Sequence, residues 1–114
     1  MATLTIIRVP LSLTDLAQYS IGGGLVKAVV DCAQGIMAVG GELHADEEQA
    51  LLEAGAKQQD LWGVNLYLEK SLESSIEFDS MINVRPSQGN RSRNVEDPRM
   101  QQRIREIVSS LILA

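Results

Sequence analysis

One cysteine stands in the 114-residue chain, Cys32, so no internal disulfide can form and nothing points to an oxidising compartment. No stretch approaches the ~20 consecutive apolar residues that a membrane-spanning helix needs. The first residues, Met1-Ala2-Thr3-Leu4-Thr5, lack both a basic start and a long apolar core, so no secretory signal is expected. A cytoplasmic protein without a membrane partner is the plain reading. Glycine-rich nucleotide loops of the Walker or dinucleotide type are missing, as is the Gly-x-Ser-x-Gly turn of serine hydrolases. A single histidine, His44, with a single cysteine makes a structural zinc site from one chain improbable, and no cofactor is expected.

What is present is ordinary globular composition: 45% hydrophobic and 22% charged residues, enough for one domain over residues 1–114. A chain of this size buries roughly two-thirds of its unfolded surface, which provides one thin core. The net charge of −5 is unevenly spread. Residues 1–41 balance, residues 42–79 carry ten acids against Lys57 and Lys70, and six of the seven arginines follow position 84. General nucleic-acid binding is disfavoured, because neutralising phosphates takes a basic field over a whole face. A local anion site in the last third remains open.

Hydropathy patterning predicts the order β-α-β-β-α-β-β-α. The β-branched segment 3–9 is a first strand, closed by Pro10. Ser12 and Asp15 have capping-box spacing and open a helix with Leu13, Leu16, Ala17 and Ile21 on one stripe, ended by Gly22-Gly23-Gly24. The apolar runs 26–31 and 36–40, joined by Cys32-Ala33-Gln34-Gly35, have the form of a hairpin. Cys32 lies beside that turn as a bystander, with no neighbouring base or cation to activate it. A helix is predicted over 46–54, capped by Asp46, with Gln49 at the reciprocal position and Gly55 at its end. Segments 61–68 and 76–84 alternate as strands. Their patterns place Trp62, Val64, Leu66 and Leu68 on one face of the first, and Ile76, Phe78, Ser80, Ile82 and Val84 on one face of the second. Asp97 followed by Pro98 starts a last helix with Met100, Ile104, Ile107, Val108, Leu111 and Ile112 at helical spacing. Hairpins with interspersed helices give an α+β fold, a mainly antiparallel five-stranded sheet covered by three helices in two layers.

Two layers leave one sheet face free, and candidate chemistry gathers there. With the last two predicted strands paired, Asn65 and Tyr67 lie near Glu77, Asp79, Asn83 and Arg85. Such a set can hold a polar ligand, or serve acid–base chemistry with Glu77 or Asp79 as the titrating group and Arg85 orienting an anionic substrate. A solvated sheet face and an oligomer contact are the plainer alternatives. The following loop, with Asn90, Arg91 and Arg93, is dense in donors suited to a phosphate or carboxylate. The same arginines can instead pair with the surplus acids of residues 42–79, in the chain or in a neighbouring subunit. Glu42, His44 and Asp46 stand two apart and would share a face if extended, as weakly indicated metal ligands; structural or capping roles explain them better.

Three strings resemble a family of small bacterial proteins, frequent in cyanobacteria, that is known as a domain of unknown function. They are Val39-Gly40-Gly41-Glu42-Leu43-His44-Ala45-Asp46, then Asp60-Leu61-Trp62-Gly63-Val64-Asn65-Leu66-Tyr67, and finally Phe78-Asp79-Ser80-Met81-Ile82-Asn83-Val84-Arg85-Pro86 with Gly89-Asn90-Arg91-Ser92-Arg93. The resemblance spans nearly the whole chain. It implies a single domain in a bacterial cytoplasm and brings no activity, cofactor or catalytic residue with it.

The sequence thus leads to a self-associating binding or regulatory module for a small anionic ligand or a partner's acidic group, held by Arg85, Arg91 and Arg93 with Asn83 and Asn90. A small enzyme working on the polar sheet face is the alternative. A purely structural oligomerisation domain is a third, favoured if Trp62 is exposed in the monomer, since aromatic residues concentrate at interface cores.

Overall fold

The computed structural model describes residues 4–22, 24–70 and 74–113; Thr3 of the first predicted strand, Gly23 of the glycine triplet and residues 71–73 of the last strand connection lie outside them. The centre of the fold is the hairpin of β3 (Leu25–Asp31) and β4 (Ile36–Val39). Its turn is built by two residues. Asp31 accepts the backbone N–H groups of Ala33 and Gln34 on one carboxylate oxygen at 2.9 and 3.2 Å, and Gly35 takes φ +71°, which a side chain would resist. β5 (Leu61–Tyr67) pairs along the other side of β3 over seven residues, from Leu25 opposite Tyr67 to Asp31 opposite Leu61. β1 (Thr5–Ile7) joins outside β4, and β6 (Ile76–Glu77) outside β5, which gives the order β1-β4-β3-β5-β6 with every neighbour antiparallel. A small parallel pair, β2 (Leu11–Ser12) with β7 (Ile112–Leu113), stands apart.

Three α-helices lie among the described residues, as expected for an α+β fold. In α1 (Leu13–Ala17) the Ser12 hydroxyl accepts the Asp15 N–H at 3.0 Å, the predicted cap. The helix is shorter than its pattern suggested, and Leu16 is its one buried residue, with Leu13 and Ile21 exposed. In α3 (Pro98–Leu111) Asp97 caps the Arg99 N–H at 2.9 Å and Pro98 occupies the first turn. Ile104, Ile107, Val108 and Leu111 are buried on its inner stripe, while Ile112 leaves the helix for β7.

α2 (His44–Glu53) begins two residues before its predicted start, and this changes its phase. The N-cap is Leu43, which offers no side-chain bond, so Asp46 stands in the first turn and not at the cap. The buried stripe becomes His44, Glu47 and Leu51 in place of Ala50, Leu51 and Ala54. The C-terminus ends as read: Gly55 has φ +100°, and the bonds from Gly55 N–H to Leu52 C=O and from Ala56 N–H to Leu51 C=O form a Schellman closure.

The sheet is not left bare on one side. Val26, Ala28, Val30, Met37, Val39, Trp62, Val64 and Leu66 meet α1 and α3 in the larger core. Val29, Ile36, Ala38 and Leu61 meet Leu51 of α2 in a smaller one, with Ile82 packed against it. The two-layer expectation of a free second face is corrected accordingly: α2 and the 3₁₀ turn Met81–Asn83 cover part of it. Each fully buried Leu, Ile or Val in these cores contributes about 1.5–3 kcal/mol of apolar transfer.

The predicted strand over 76–84 survives only as Ile76–Glu77. Ser80 explains the break. Its hydroxyl accepts the Ile82 N–H at 3.3 Å and its carbonyl the Asn83 N–H at 3.1 Å, a local alternative to a ladder. The five residues expected on one face are therefore divided. Ile76 and Phe78 join the α3 side, Ile82 the α2 side, Ser80 is buried at the bend, and Val84 is exposed.

Candidate functional site

The polar face survives where β5 and β6 still pair. Asn65 is the register partner of Glu77, and its amide donates to the Glu77 carboxylate at 2.9 Å and to the Asp79 carbonyl at 3.4 Å. The Tyr67 hydroxyl donates to the same Glu77 oxygen at 2.9 Å, and that bond holds the phenol above its ordinary pKa. Arg93 forms an ion pair with Asp79 at 2.6 Å. Asn65, Tyr67, Glu77, Asp79 and Arg93 are thus brought together, as a linked surface network.

Asn83, Arg85 and Asn90 are turned inward. The Asn83 carboxamide accepts from Gly63 N–H at 2.8 Å and donates to Gly63 C=O at 2.9 Å, the two bonds an adjoining strand would make. Arg85 donates to the Gln58 and Leu61 carbonyls, and its guanidinium lies 4.1 Å from the centre of the Trp62 ring. Asn90 donates to the carbonyls of Asn83, Ser92 and Asn94 and accepts the Glu96 N–H at 2.8 Å. These three side chains shape the 80–96 segment, whose Arg85 and Asn90 backbones pair across the turn Pro86–Gln88 and Gly89 at φ +81°. Arg91 stays exposed, its backbone N–H bound to Glu96 at 3.0 Å. Trp62 is 5% exposed, so the argument for assembly through an exposed tryptophan does not hold.

Three residues on the same sheet face escaped the sequence reading, or were given other work there. His44 lies over Gly63, its ring 3.2 Å from where a Cβ would stand, and its Nε2 is 2.8 Å from the Val64 carbonyl. A carbonyl only accepts, so Nε2 carries the proton. Burial holds the imidazole below its usual pKa against the pull of that bond, and the charges of Lys27, Asp79 and Arg93 act on it from nearby. At neutral pH the ring is uncharged, and Nδ1 keeps a lone pair with no hydrogen bond among the described residues. Glu47, one turn along, is fully buried; desolvation pushes its carboxyl up to about 9, opposed by the Gly41 N–H bond at 3.0 Å and by Lys27. Lys27 is half-buried on β3 opposite Asn65 and has no ion pair among the described residues. The missed signal was the phase of α2, since a start at His44 puts His44 and Glu47 on the inward stripe.

The metal-ligand arrangement fails for the same reason. Glu42 and Asp46 are exposed, His44 faces the sheet, and among the described residues no three His, Cys, Asp or Glu side chains converge on a metal position. Cys32 is half-buried, and burial lifts its thiol to about 12 despite the opposing charge of Arg103, which disfavours the thiolate. A cleft of about 180 Å³ beside Trp62, Gln88 and Met100 carries the carboxylates of Glu96 and Asp97 on its wall. It is small for a ligand pocket and has the wrong sign for an anion.

In comparison with known proteins, the family described as "Protein of unknown function (DUF5674)" matches over residues 5–111. No curated protein and no solved structure matches the chain.

Proposed function

We propose that this chain, which belongs to the DUF5674 family of unknown function, is a cytoplasmic binding module for a small molecule carrying an anionic group and a hydroxyl or amide donor. The single observation behind the reading is His44, a neutral imidazole with one nitrogen committed to the backbone and the other without a hydrogen bond among the described residues, set among Lys27, Arg93 and Asp79. Lys27, in no ion pair among the described residues, supplies the cation for the anionic group. The Nδ1 lone pair accepts the ligand's donor, and Asn65 and Tyr67 border the same surface. Arg93 adds positive charge, while Asp79 fixes its position. Asn83, Arg85 and Asn90 serve as framework in this reading, and no cofactor is invoked. Association between copies of the chain belongs to the same proposal.

The test is an NMR titration of the imidazole with small hydroxycarboxylates and with inorganic phosphate. Hydroxycarboxylates are expected to shift the His44 ring resonances and raise the thermal midpoint, with both effects lost in Lys27→Met. No shift at about 10 mM, tenfold above a Kd of about 1 mM, overturns the reading.

A second reading, catalysis, is favoured by the pairing of that neutral base with a carboxyl held protonated one turn along α2. Glu77 and Asp79 are both engaged as acceptors, so His44 takes the role of base. Turnover that disappears in His44→Gln while anion binding persists separates catalysis from binding.

A further inference from the structure

In the folded chain the uneven charge of the sequence becomes a separation in space. α2 covers one sheet face and α3 the other, so the sheet stands between them. The outward side of α2 exposes Asp46 and Glu53, and that of α3 exposes Arg99 and Arg103 in its first half, with Glu106 two turns beyond Arg99. Among the described residues the one ion pair joins Arg93 to Asp79, and no side chain of α2 or α3 takes part in it. Arg103 donates to the Cys32 carbonyl at 3.3 Å, and Glu53 accepts from the Gln49 amide at 3.2 Å, both neutral partners.

Helix polarity sharpens the mismatch. Glu53 closes α2, whose last turn has no basic residue, so an anion sits at the negative end of the helix dipole. Arg99 sits in the first turn of α3, a cation at the positive end, offset in part by the Asp97 cap. Each residue has the sign that the other helix end requires.

We propose that the acidic side of α2 on one copy docks against the basic first half of α3 on the next, with Glu53 meeting Arg99 and Arg103. This rests on the association proposed above and names its surfaces. The two helices lie on opposite sides of the sheet, so no single partner meets both, and the assembly is head-to-tail and grows into a ring or a filament, not a twofold dimer. Exposed ionic contacts carry it, so salt weakens it.

Sedimentation velocity on the full chain tests the docking. Wild type is expected above its monomer mass of 12.4 kDa at about 0.02 M salt and as monomer at about 0.5 M. Arg99→Glu and Glu53→Arg are each expected to give monomer at both salt levels, with unchanged circular dichroism because both positions are exposed. The chain carrying both substitutions regains association. A monomeric wild type at low salt overturns association and docking together. Association that ignores salt or survives the single reversals leaves self-association standing and overturns this docking. Failure of the double reversal to recover overturns direct pairing.

Discussion

Glu47 is an acid that works as a neutral hydrogen-bonding group. Burial lifts its pKa from 4.5 to about 9, more than the Gly41 N–H and Lys27 pull it down, with Asp46 adding to the rise. In the unfolded chain it ionises near 4.5, so between there and about 9 the folded state binds the extra proton. Its contribution is therefore full below pH 4.5, declines as pH rises, and is gone above about 9. Urea midpoints across that range are expected to fall with pH in wild type and to flatten in Glu47→Gln, which keeps the shape and cannot ionise. Nothing in the run Asp46-Glu47-Glu48 distinguishes the middle acid by composition, and only helix phase does. That phase was lost because Asp46 is the better capping residue by type, whereas the helix starts behind Leu43 with no side-chain cap.

Among elements, β5 carries the closest fit. A Cβ at Gly63 would stand 2.6 Å from Ser80 Cβ and Oγ and 3.2 Å from the His44 ring, so the strand has room for nothing larger. Gly63→Ala is expected to destabilise by about 1–3 kcal/mol through overpacking, read from the urea midpoint, and to disturb the His44 resonances at the same time. β5 and α3 were legible in the sequence because their periods, two and 3.6, persist over seven and fourteen residues, and β3 and β4 because two apolar runs flank a glycine turn. Segment 76–84 alternated equally well and misled, because alternation cannot reveal that the Ser80 hydroxyl will bond its own backbone. Of the site, Asn65, Tyr67, Glu77, Asp79 and Arg93 were found from the pleat and the donor-rich loop. Asn83, Arg85 and Asn90 looked like ligand donors because sequence shows donor capacity and not which carbonyls consume it.

At the scale of the whole molecule, one sheet separates two cores, Ile104 belonging to the larger and Leu51 to the smaller. Leu51→Ala is expected to cost about 2–5 kcal/mol and Ile104→Val about 0.5–1.5 kcal/mol. Since the two share no contact cluster, their costs should add in the double variant within about 0.5 kcal/mol, measured by chemical denaturation with one transition throughout. A marked departure would mean that the sheet transmits repacking from one face to the other. The larger core was legible from α3 alone, while the smaller followed from a helix whose apolar stripe is too narrow to announce which side it covers. One consequence reaches beyond stability. Where β6 stops short, the Asn83 carboxamide takes up the N–H and C=O of Gly63 that would otherwise form an open edge. Asparagine amides hydrolyse slowly in water, and here that reaction would replace the donor with a charge and leave the Gly63 carbonyl without this partner.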